Sequence, residues 1–243
     1  MDPVFMIGSM PSNPRERIAV ALDKNTVDEA LAAADLLVDE VAWVKVATTL
    51  FTRVGPRIIN ELKGRGFKVF LDLKFHDIPA QVRGACRSAA TEGADLLTVH
   101  CGGGRAMMEA AAEGALAGGG CKIVGVTVLT SLDTADLNQV GINKSPAELA
   151  PVLASLARDS GLDGVVCSPL ELDLLRPTLP APFMLVTPGI RPPGSAKGDQ
   201  KRVLTPSQAL QKGADLLVIG RPILNAPDPA AAARAIVAEL GRA

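Results

Sequence analysis

The sequence carries almost no net charge, because 25 lysines and arginines face 26 aspartates and glutamates among its 243 residues. No cluster of lysines and arginines stands out along the chain. Proteins that bind nucleic acid broadly present such a basic surface, since they must neutralise phosphates. The charge balance therefore argues against a nucleic-acid partner, although it is compatible with a single pocket for an anion.

Long apolar segments are also absent. No apolar run approaches the ~20 residues that cross a bilayer as a helix, and the start lacks the basic and apolar regions of a secretory signal. We expect no membrane contact, a lead over residues 1–16 that is disordered or not native to the protein, and one folded domain over residues 17–243.

The cysteines show no pairing pattern. There are four of them and no C-x-x-C, whereas secreted proteins and zinc sites usually show regular cysteine pairs. We interpret Cys86, Cys101, Cys121 and Cys167 as free thiols in a reducing compartment, which makes the cytoplasm the expected location.

Two nucleotide-binding signatures are missing. No G-x-G-x-x-G follows the first predicted strand, which argues against a dinucleotide fold. The glycine-rich pieces CGGGR and AGGG are not followed by G-K-[ST], so neither is a Walker A loop. We expect the first to be a loop and the second to end a helix.

Eight short runs that are apolar throughout alternate with longer helical segments, and such runs are typical of strands covered on both faces. Asn25 and Ser145 are predicted helix caps, with Pro146 at a first helical position. The pattern predicts a single (β/α)8 barrel, an α/β fold, with a doubly wound open sheet as the alternative. The predicted strands are 17–23, 41–48, 68–74, 94–100, 122–129, 162–168, 183–189 and 214–220.

Polar residues mark the ends of several of these strands. Barrel active sites lie at the carboxyl ends of the strands, and charges within apolar strands are costly unless they are paired. We therefore predict a site formed by Asp23, Lys45, Asp72, Lys74, Thr130, Arg191, Gly220 and Arg221.

One half of this site is a predicted row of charges. Asp72 and Lys74 are two residues apart and so point to one side of a strand, and Lys45 reaches Asp72 if the second and third strands are neighbours. With Asp77 they form an alternating row. Two unit charges ~4 Å apart interact by about 4 kcal/mol at an effective dielectric near 20. A salt-bridge network with a purely structural role is the alternative.

The other half is a predicted anion site. Barrels often bind phosphate with the loops after strands seven and eight. Gly220 allows close approach of the backbone, and Arg221 offers a bidentate donor. Arg191 and Gln200 lie in the long loop after the seventh strand and could add hydrogen-bond donors. A surface loop with incidental arginines is the alternative.

Together these motifs resemble the orotidine 5′-phosphate decarboxylase family in its bacterial form. Asp72, Lys74 and Asp77 form its D-x-K-x-x-D motif, and VALD, VTVLTS, VTPGIRP and VIGRPI stand around it in the family's order. The resemblance extends from about Ile18 to Ala238. It implies conversion of orotidine 5′-phosphate to UMP and CO2, the last step of de novo pyrimidine nucleotide synthesis, without metal or organic cofactor.

The resemblance also implies a role for each site residue. Lys74 would protonate the carbon that loses CO2, and Asp72 would lie against the departing carboxylate. The family forms homodimers, in which Asp77 enters the partner's site and completes the row with Lys45. The remaining implied substrate contacts are Asp23, Lys45 and Asp77 at the ribose, Ile78 and Gln81 after the motif, Thr130 at the pyrimidine, and Arg191, Gln200, Gly220 and Arg221 at the phosphate.

Two other functions stay open at this point. The nearer one is a relative on the same barrel that uses D-x-K-x-x-D with Mg²⁺ on a sugar phosphate. Such chains usually carry another acid near the motif, where this sequence has Phe70 and Leu71. The other is a non-catalytic barrel that binds a nucleotide. Gln81 also departs from the family, which often has a threonine there that meets the ribose across the dimer interface.

Overall fold

Eight parallel strands close into a barrel in the computed structural model, which describes residues 13–192 and 203–242. Each strand pairs with its neighbours in chain order, and β8 pairs with β1. Closure confirms the predicted (β/α)8 barrel, because an open sheet would leave two strands unpaired along one edge. The strands are β1 (Ile18–Ala21), β2 (Trp43–Ala47), β3 (Lys68–Phe75), β4 (Leu96–His100), β5 (Lys122–Val126), β6 (Gly164–Val166), β7 (Met184–Thr187) and β8 (Leu216–Ile219).

Helices follow the strands and surround the barrel. None of those in the described residues is long and apolar enough to span a membrane. Short 3₁₀ helices lie at Pro14–Arg17, Cys101–Gly103 and Pro169–Glu171. The α-helices are α1 (Val27–Asp35), α2 (Thr48–Val54), α3 (Arg57–Lys63), α4 (Pro79–Thr91), α5 (Gly104–Ala117), α6 (Thr134–Gln139), α7 (Pro146–Asp159), α8 (Leu172–Leu175), α9 (Pro206–Gln211), α10 (Arg221–Leu224) and α11 (Pro229–Leu240).

Of the two predicted helix-capping residues, one is confirmed and the other is wrong. Ser145 caps α7 in a capping box with Glu148, as predicted. The prediction of Asn25 as the cap of α1 is wrong, because Thr26 occupies that position and forms a reciprocal box with Glu29. The T-x-x-E spacing satisfies two backbone N–H groups at once, which Asn25 could not do from one residue earlier.

Residues 13–16, the last part of the predicted N-terminal lead, are included in the described structure. Pro14–Arg17 form a 3₁₀ helix that begins at a capping residue, since the side chain of Asn13 accepts the N–H of Arg15 at 3.1 Å. The Arg15 carbonyl then accepts the N–H of Ala42 at 3.0 Å. These bonds tie the segment to the start of β2. The rest of the predicted lead, residues 1–12, lies outside the described residues.

The barrel interior has an apolar floor below a polar mouth. Inward-facing side chains alternate with outward-facing ones that pack against the helices, and the outer set forms the larger core. Two residues further along β2, β3 and β4 come Lys45, Asp72 and Thr98. The floor consists of Ala19, Trp43, Phe70, Leu96, Val124, Val186 and Leu216.

Three related pieces of sequence, EGADLL, SGLDGVV and KGADLL, fasten the other end of the barrel. Each ends a helix with a left-handed glycine, Gly93, Gly161 or Gly213, at φ of 93°, 79° and 93°, as glycine permits. Each then places an aspartate before β4, β6 or β8 that accepts an N–H from the preceding strand. The bonds are Val69 N to Asp95 at 2.7 Å, Ile123 N to Asp163 at 2.8 Å, and Leu185 N to Asp215 at 2.6 Å.

Asp95→Ala should lower the free energy of unfolding by about 1.5–3 kcal/mol, because hydrogen bonds to charged groups are lost. The variant loses the bond from Val69 and both bonds from Lys63, each 2.8 Å long. Asp163→Ala is the matched comparison and should lose less, because Asp163 is exposed. Urea unfolding of both variants measures the difference, and equal stability of Asp95→Ala and wild type would contradict the fastening role.

Candidate active site

Four charged side chains form a continuous row at the mouth of the barrel. Lys45 Nζ lies 3.6 Å from Asp23 Oδ1 and 3.3 Å from Asp72 Oδ2. Lys74 Nζ lies 2.7 Å from the other oxygen of the same carboxylate, Asp72 Oδ1. Charges therefore alternate from Asp23 through Lys45 and Asp72 to Lys74. The predicted contact between Lys45 and Asp72 is confirmed, and it follows from the pairing of β2 with β3.

Asp72 is the centre of this row and is largely buried, with 13% of its side chain exposed. Burial alone would raise the pKa of Asp72. The positive charges of Lys45 and Lys74, together with hydrogen bonds from Lys74 and Thr98, outweigh burial and hold the pKa below its ordinary value. Asp72 is therefore an anion at neutral pH, although water hardly reaches it.

The backbone at Lys74 is not that of a regular strand. Its φ is +51°, a left-handed conformation that lysine rarely adopts. The register between β3 and β4 shifts at this point, since Leu71 pairs with Leu97 and Phe75 pairs with Val99. The two charged side chains do meet as predicted, but a bulge in β3 sets their geometry. The prediction from the two-residue period of a regular strand did not include this geometry, because a bulge interrupts that period.

The predicted anion-binding residues line the same cavity as the charged row. Thr130, Arg191, Gly220 and Arg221 all border it. A Cβ atom at Gly220 would lie only 3.2 Å from the Ala21 side chain, so glycine lets the end of β8 pack closely beside the end of β1. Gln200, the remaining predicted phosphate contact, lies outside the described residues.

Three predicted site residues do not border this cavity. Asp77, Ile78 and Gln81 are exposed at the start of α4 and lie apart from the row. Asp77 Oδ1 accepts the N–H of Ile78 at 2.6 Å. Within one chain, the second aspartate of the motif therefore does not join Lys45, Asp72 and Lys74.

Sequence reasoning missed Thr98, which is completely buried in β4. Its hydroxyl contacts both Asp72 and the backbone of Lys74. A polar residue in the otherwise apolar run LLTV was the available signal, because burial of a hydroxyl requires a partner. The sequence alone did not show which neighbour supplies that partner.

A stacked pair of imidazoles borders the end of β4. The rings of His76 and His100 have centroids 5.1 Å apart and are inclined by 13°. His100 Nδ1 accepts the N–H of Gly102 at 3.2 Å. Burial, with the nearby charges of His76 and Lys74, lowers the pKa of His100. Across residues 13–192 and 203–242, no group of three or more His, Cys, Asp and Glu side chains is placed to hold a metal ion.

The fold and the site together define a class of protein. A closed (β/α)8 barrel with paired ammonium and carboxylate groups at its mouth, and arginines on the same cavity, is a TIM-barrel enzyme with its site at the carboxyl ends of the strands.

The chain belongs to the orotidine 5′-phosphate decarboxylase / HUMPS family, which it matches over residues 16–236. It is 51% identical over 236 residues to orotidine 5′-phosphate decarboxylase from Halorhodospira halophila, covering 97% of this chain and 99% of that protein. The enzyme of the same name from Nitrosospira multiformis is 50% identical over 214 residues, covering 88% and 89%. The crystal structure of orotidine 5′-phosphate decarboxylase from Lactobacillus acidophilus superposes with a TM-score of 0.84 at 36% identity, covering 94% and 100%.

Asp72→Asn should reduce the free energy of unfolding by about 2 kcal/mol at neutral pH, because Lys45 and Lys74 lose their shared anion. The pKa of Asp72 is lowered in the folded chain from an ordinary value of 3.8. Its stabilising effect is therefore complete above that ordinary value and is lost as the pH falls through the lower, folded value. The difference between wild type and variant should shrink in acid.

Urea unfolding of both proteins from neutral pH downward measures this difference. A gap that stays constant, or widens as the solution becomes acidic, would contradict the pairing of Asp72 with the two lysines.

Proposed function

We propose that Lys74, held by Asp72, is the proton donor in the decarboxylation of orotidine 5′-phosphate. The reaction yields UMP and CO2, and it is the carboxy-lyase step of pyrimidine nucleotide synthesis. The observation that supports this role most directly is the 2.7 Å contact of Lys74 Nζ with Asp72, in the cavity that Arg221 also lines.

The chemistry requires a positive charge beside the reacting carbon. When the bond to the carboxyl group breaks, its electron pair stays on a pyrimidine ring carbon with no adjacent carbonyl to delocalise it. The Lys74 ammonium stabilises that charge as it forms and then transfers a proton to the same carbon. Lys74 is left neutral and regains its proton from solvent.

Asp72 has two tasks in this proposal. It holds the Lys74 ammonium in place at 2.7 Å, and its negative charge lies close to the carboxylate that leaves. The repulsion between the two carboxylates is relieved when one departs as neutral CO2. Much of the rate enhancement comes from charges that are already fixed in position before the reaction begins. Lys45, bonded to the second oxygen of Asp72, keeps Asp72 ionised throughout.

The phosphate end of the substrate supplies binding energy at a distance from the reaction. Arg191 and Arg221 carry charges that suit a phosphate dianion, and both border the cavity that contains the row. Binding of the phosphate there orients the pyrimidine over Lys74. The binding energy of the phosphate thereby contributes to the rate of the reaction. We place Thr130 at the pyrimidine, Asp23 and Lys45 at the ribose, and Gly220 and Gln200 at the phosphate.

A second copy of the chain completes the site in this proposal. Asp77 lies outside the cavity of its own chain, and the adjacent Ile78 is apolar and 63% exposed. An exposed apolar side chain beside a charged motif suits an interface between subunits. We propose a homodimer in which Asp77, Ile78 and Gln81 contact the substrate in the partner's site.

The cysteines support a cytoplasmic location for the enzyme. All four are free and buried, as expected in a reducing compartment. Burial raises the pKa of Cys86, Cys101 and Cys121 to about 12, so these thiols stay protonated and unreactive. We propose that no thiol takes part in the reaction and that no cofactor is needed.

Lys74→Ala should lower kcat by a factor of about 100 to 10,000 or more, because the proton donor is lost. The assay is the fall in ultraviolet absorbance of orotidine 5′-phosphate in the presence of EDTA. Lys122→Ala, which removes an exposed lysine at the amino end of β5, is the matched control and should keep wild-type turnover. Wild-type kcat in Lys74→Ala would refute the assignment, and loss of wild-type turnover in EDTA would favour a metal-dependent reaction.

Mixing Lys74→Ala chains with Asp77→Ala chains should restore activity if each site draws Asp77 from the partner. In a mixed dimer, one site then has both native residues and the other has neither. Random exchange of subunits makes half of the dimers mixed, so about a quarter of wild-type activity should return.

The control mixture pairs Lys74→Ala with Asp72→Asn. Those two residues belong to the same chain's row, so no mixed dimer contains an intact site and no activity should return. If the first mixture also stays inactive while subunits exchange, the composite site is wrong.

A further inference from the structure

Thr98 is a buried hydroxyl placed between the two central groups of the site. Its side chain lies in β4, faces the barrel interior and is 0% exposed. The hydroxyl oxygen accepts the backbone N–H of Lys74 at 2.8 Å and donates to Asp72 Oδ1 at 3.1 Å. A hydroxyl has one proton to donate, so these two contacts fix its orientation.

The same carboxylate oxygen also accepts from the Lys74 ammonium at 2.7 Å. Thr98, Asp72 Oδ1 and both ends of Lys74, its backbone N–H and its Nζ, therefore form a closed ring of hydrogen bonds. Displacement of any member would move the others, because the members are linked through the bulged part of β3.

We propose that Thr98 is a positioning residue, which holds the left-handed backbone of Lys74 and the carboxylate of Asp72 in the geometry that proton transfer needs. This inference rests on the proposed role of Lys74. Thr98 lies in a different strand from the motif and does not border the cavity. It acts through Asp72 and Lys74 and not on the substrate.

The left-handed backbone explains why such a residue is needed. A lysine at a φ of +51° is in a conformation that persists only when its surroundings impose it. Without the hydroxyl, the Lys74 N–H would be left in a poorly hydrated site with no acceptor from β4. The backbone would then relax toward an extended conformation, and the ammonium would move away from the reacting carbon.

Several charged groups surround this ring of bonds. Lys45 from β2 and Lys74 from β3 face Asp72 directly, and Asp23 lies beyond Lys45. His100 from β4 faces Lys74. Thr98 is an uncharged group that contacts Asp72, and its hydrogen bond is one of the causes of the lowered pKa of Asp72. Its removal should therefore raise the pKa of Asp72 while the charged neighbours stay.

The test compares Thr98→Val, which has the same shape without the hydroxyl, with Thr98→Ser, which keeps the hydroxyl. Thr127→Val is the matched control, because Thr127 is also buried in the barrel but donates to the carbonyl of Val166 at 3.0 Å. Thr98→Val should lower kcat about 10- to 100-fold, the range for loss of a hydrogen bond to a charged group. The dissociation constant for UMP should change by less than about threefold, since the lost contacts do not involve the ligand.

Thr98→Ser should recover most of the lost kcat, and Thr127→Val should leave kcat near the wild-type value. Carbon-13 NMR titration of the Asp72 carboxyl group provides a readout that needs no turnover. The pKa of Asp72 should be higher in Thr98→Val than in wild type and unchanged in Thr127→Val.

An unchanged kcat and an unchanged Asp72 titration in folded Thr98→Val would overturn the proposal. Equal loss of kcat in Thr98→Ser and Thr98→Val would also overturn it, because packing rather than the hydroxyl would then be responsible. If wild type itself does not turn over orotidine 5′-phosphate, the proposed role of Lys74 fails. The NMR titration then still decides whether Thr98 holds Asp72.

Discussion

The carboxylate of Asp72, shared between two ammonium groups, is the interaction on which the site depends. One oxygen lies 3.3 Å from Lys45 Nζ and the other lies 2.7 Å from Lys74 Nζ. A buried charge is costly unless it is paired, and the largely buried Asp72 carboxylate is paired with both lysines. The arrangement fixes the position of the Lys74 ammonium beside Asp72. It also makes the position of Lys74 depend on strands β2, β3 and β4 at once.

The barrel supplies what this row requires. Neighbouring strands bring their carboxyl ends to one mouth, so residues far apart in sequence meet without long loops. The apolar floor below the row, which includes Phe70, keeps water away and strengthens each charge interaction. Arg191 and Arg221 line the same cavity. The cavity therefore combines an alternating row of charges with two arginine side chains.

Much of this arrangement could be predicted from sequence, because apolar runs show where strands lie and strand order shows which ends meet. The contact of Lys45 with Asp72 followed from that reasoning. The bulge that gives Lys74 its left-handed backbone did not follow, since it depends on the register with β4. Thr98 was not predicted for a related reason, because its hydrogen-bond partners are set by three-dimensional packing. Asp77 lies outside the cavity of its own chain, so its proposed role in a partner's site stays a prediction.

A crystal structure of the protein with UMP bound would test most directly whether the row faces the reacting carbon. Lys74 Nζ should lie within about 3.5 Å of the ring carbon that carries the carboxylate in the substrate, as a group poised to react does. The phosphate should contact Arg221. A UMP ring that lies away from Lys74, or a phosphate bound at some other part of the surface, would contradict the proposed roles of Asp72 and Lys74.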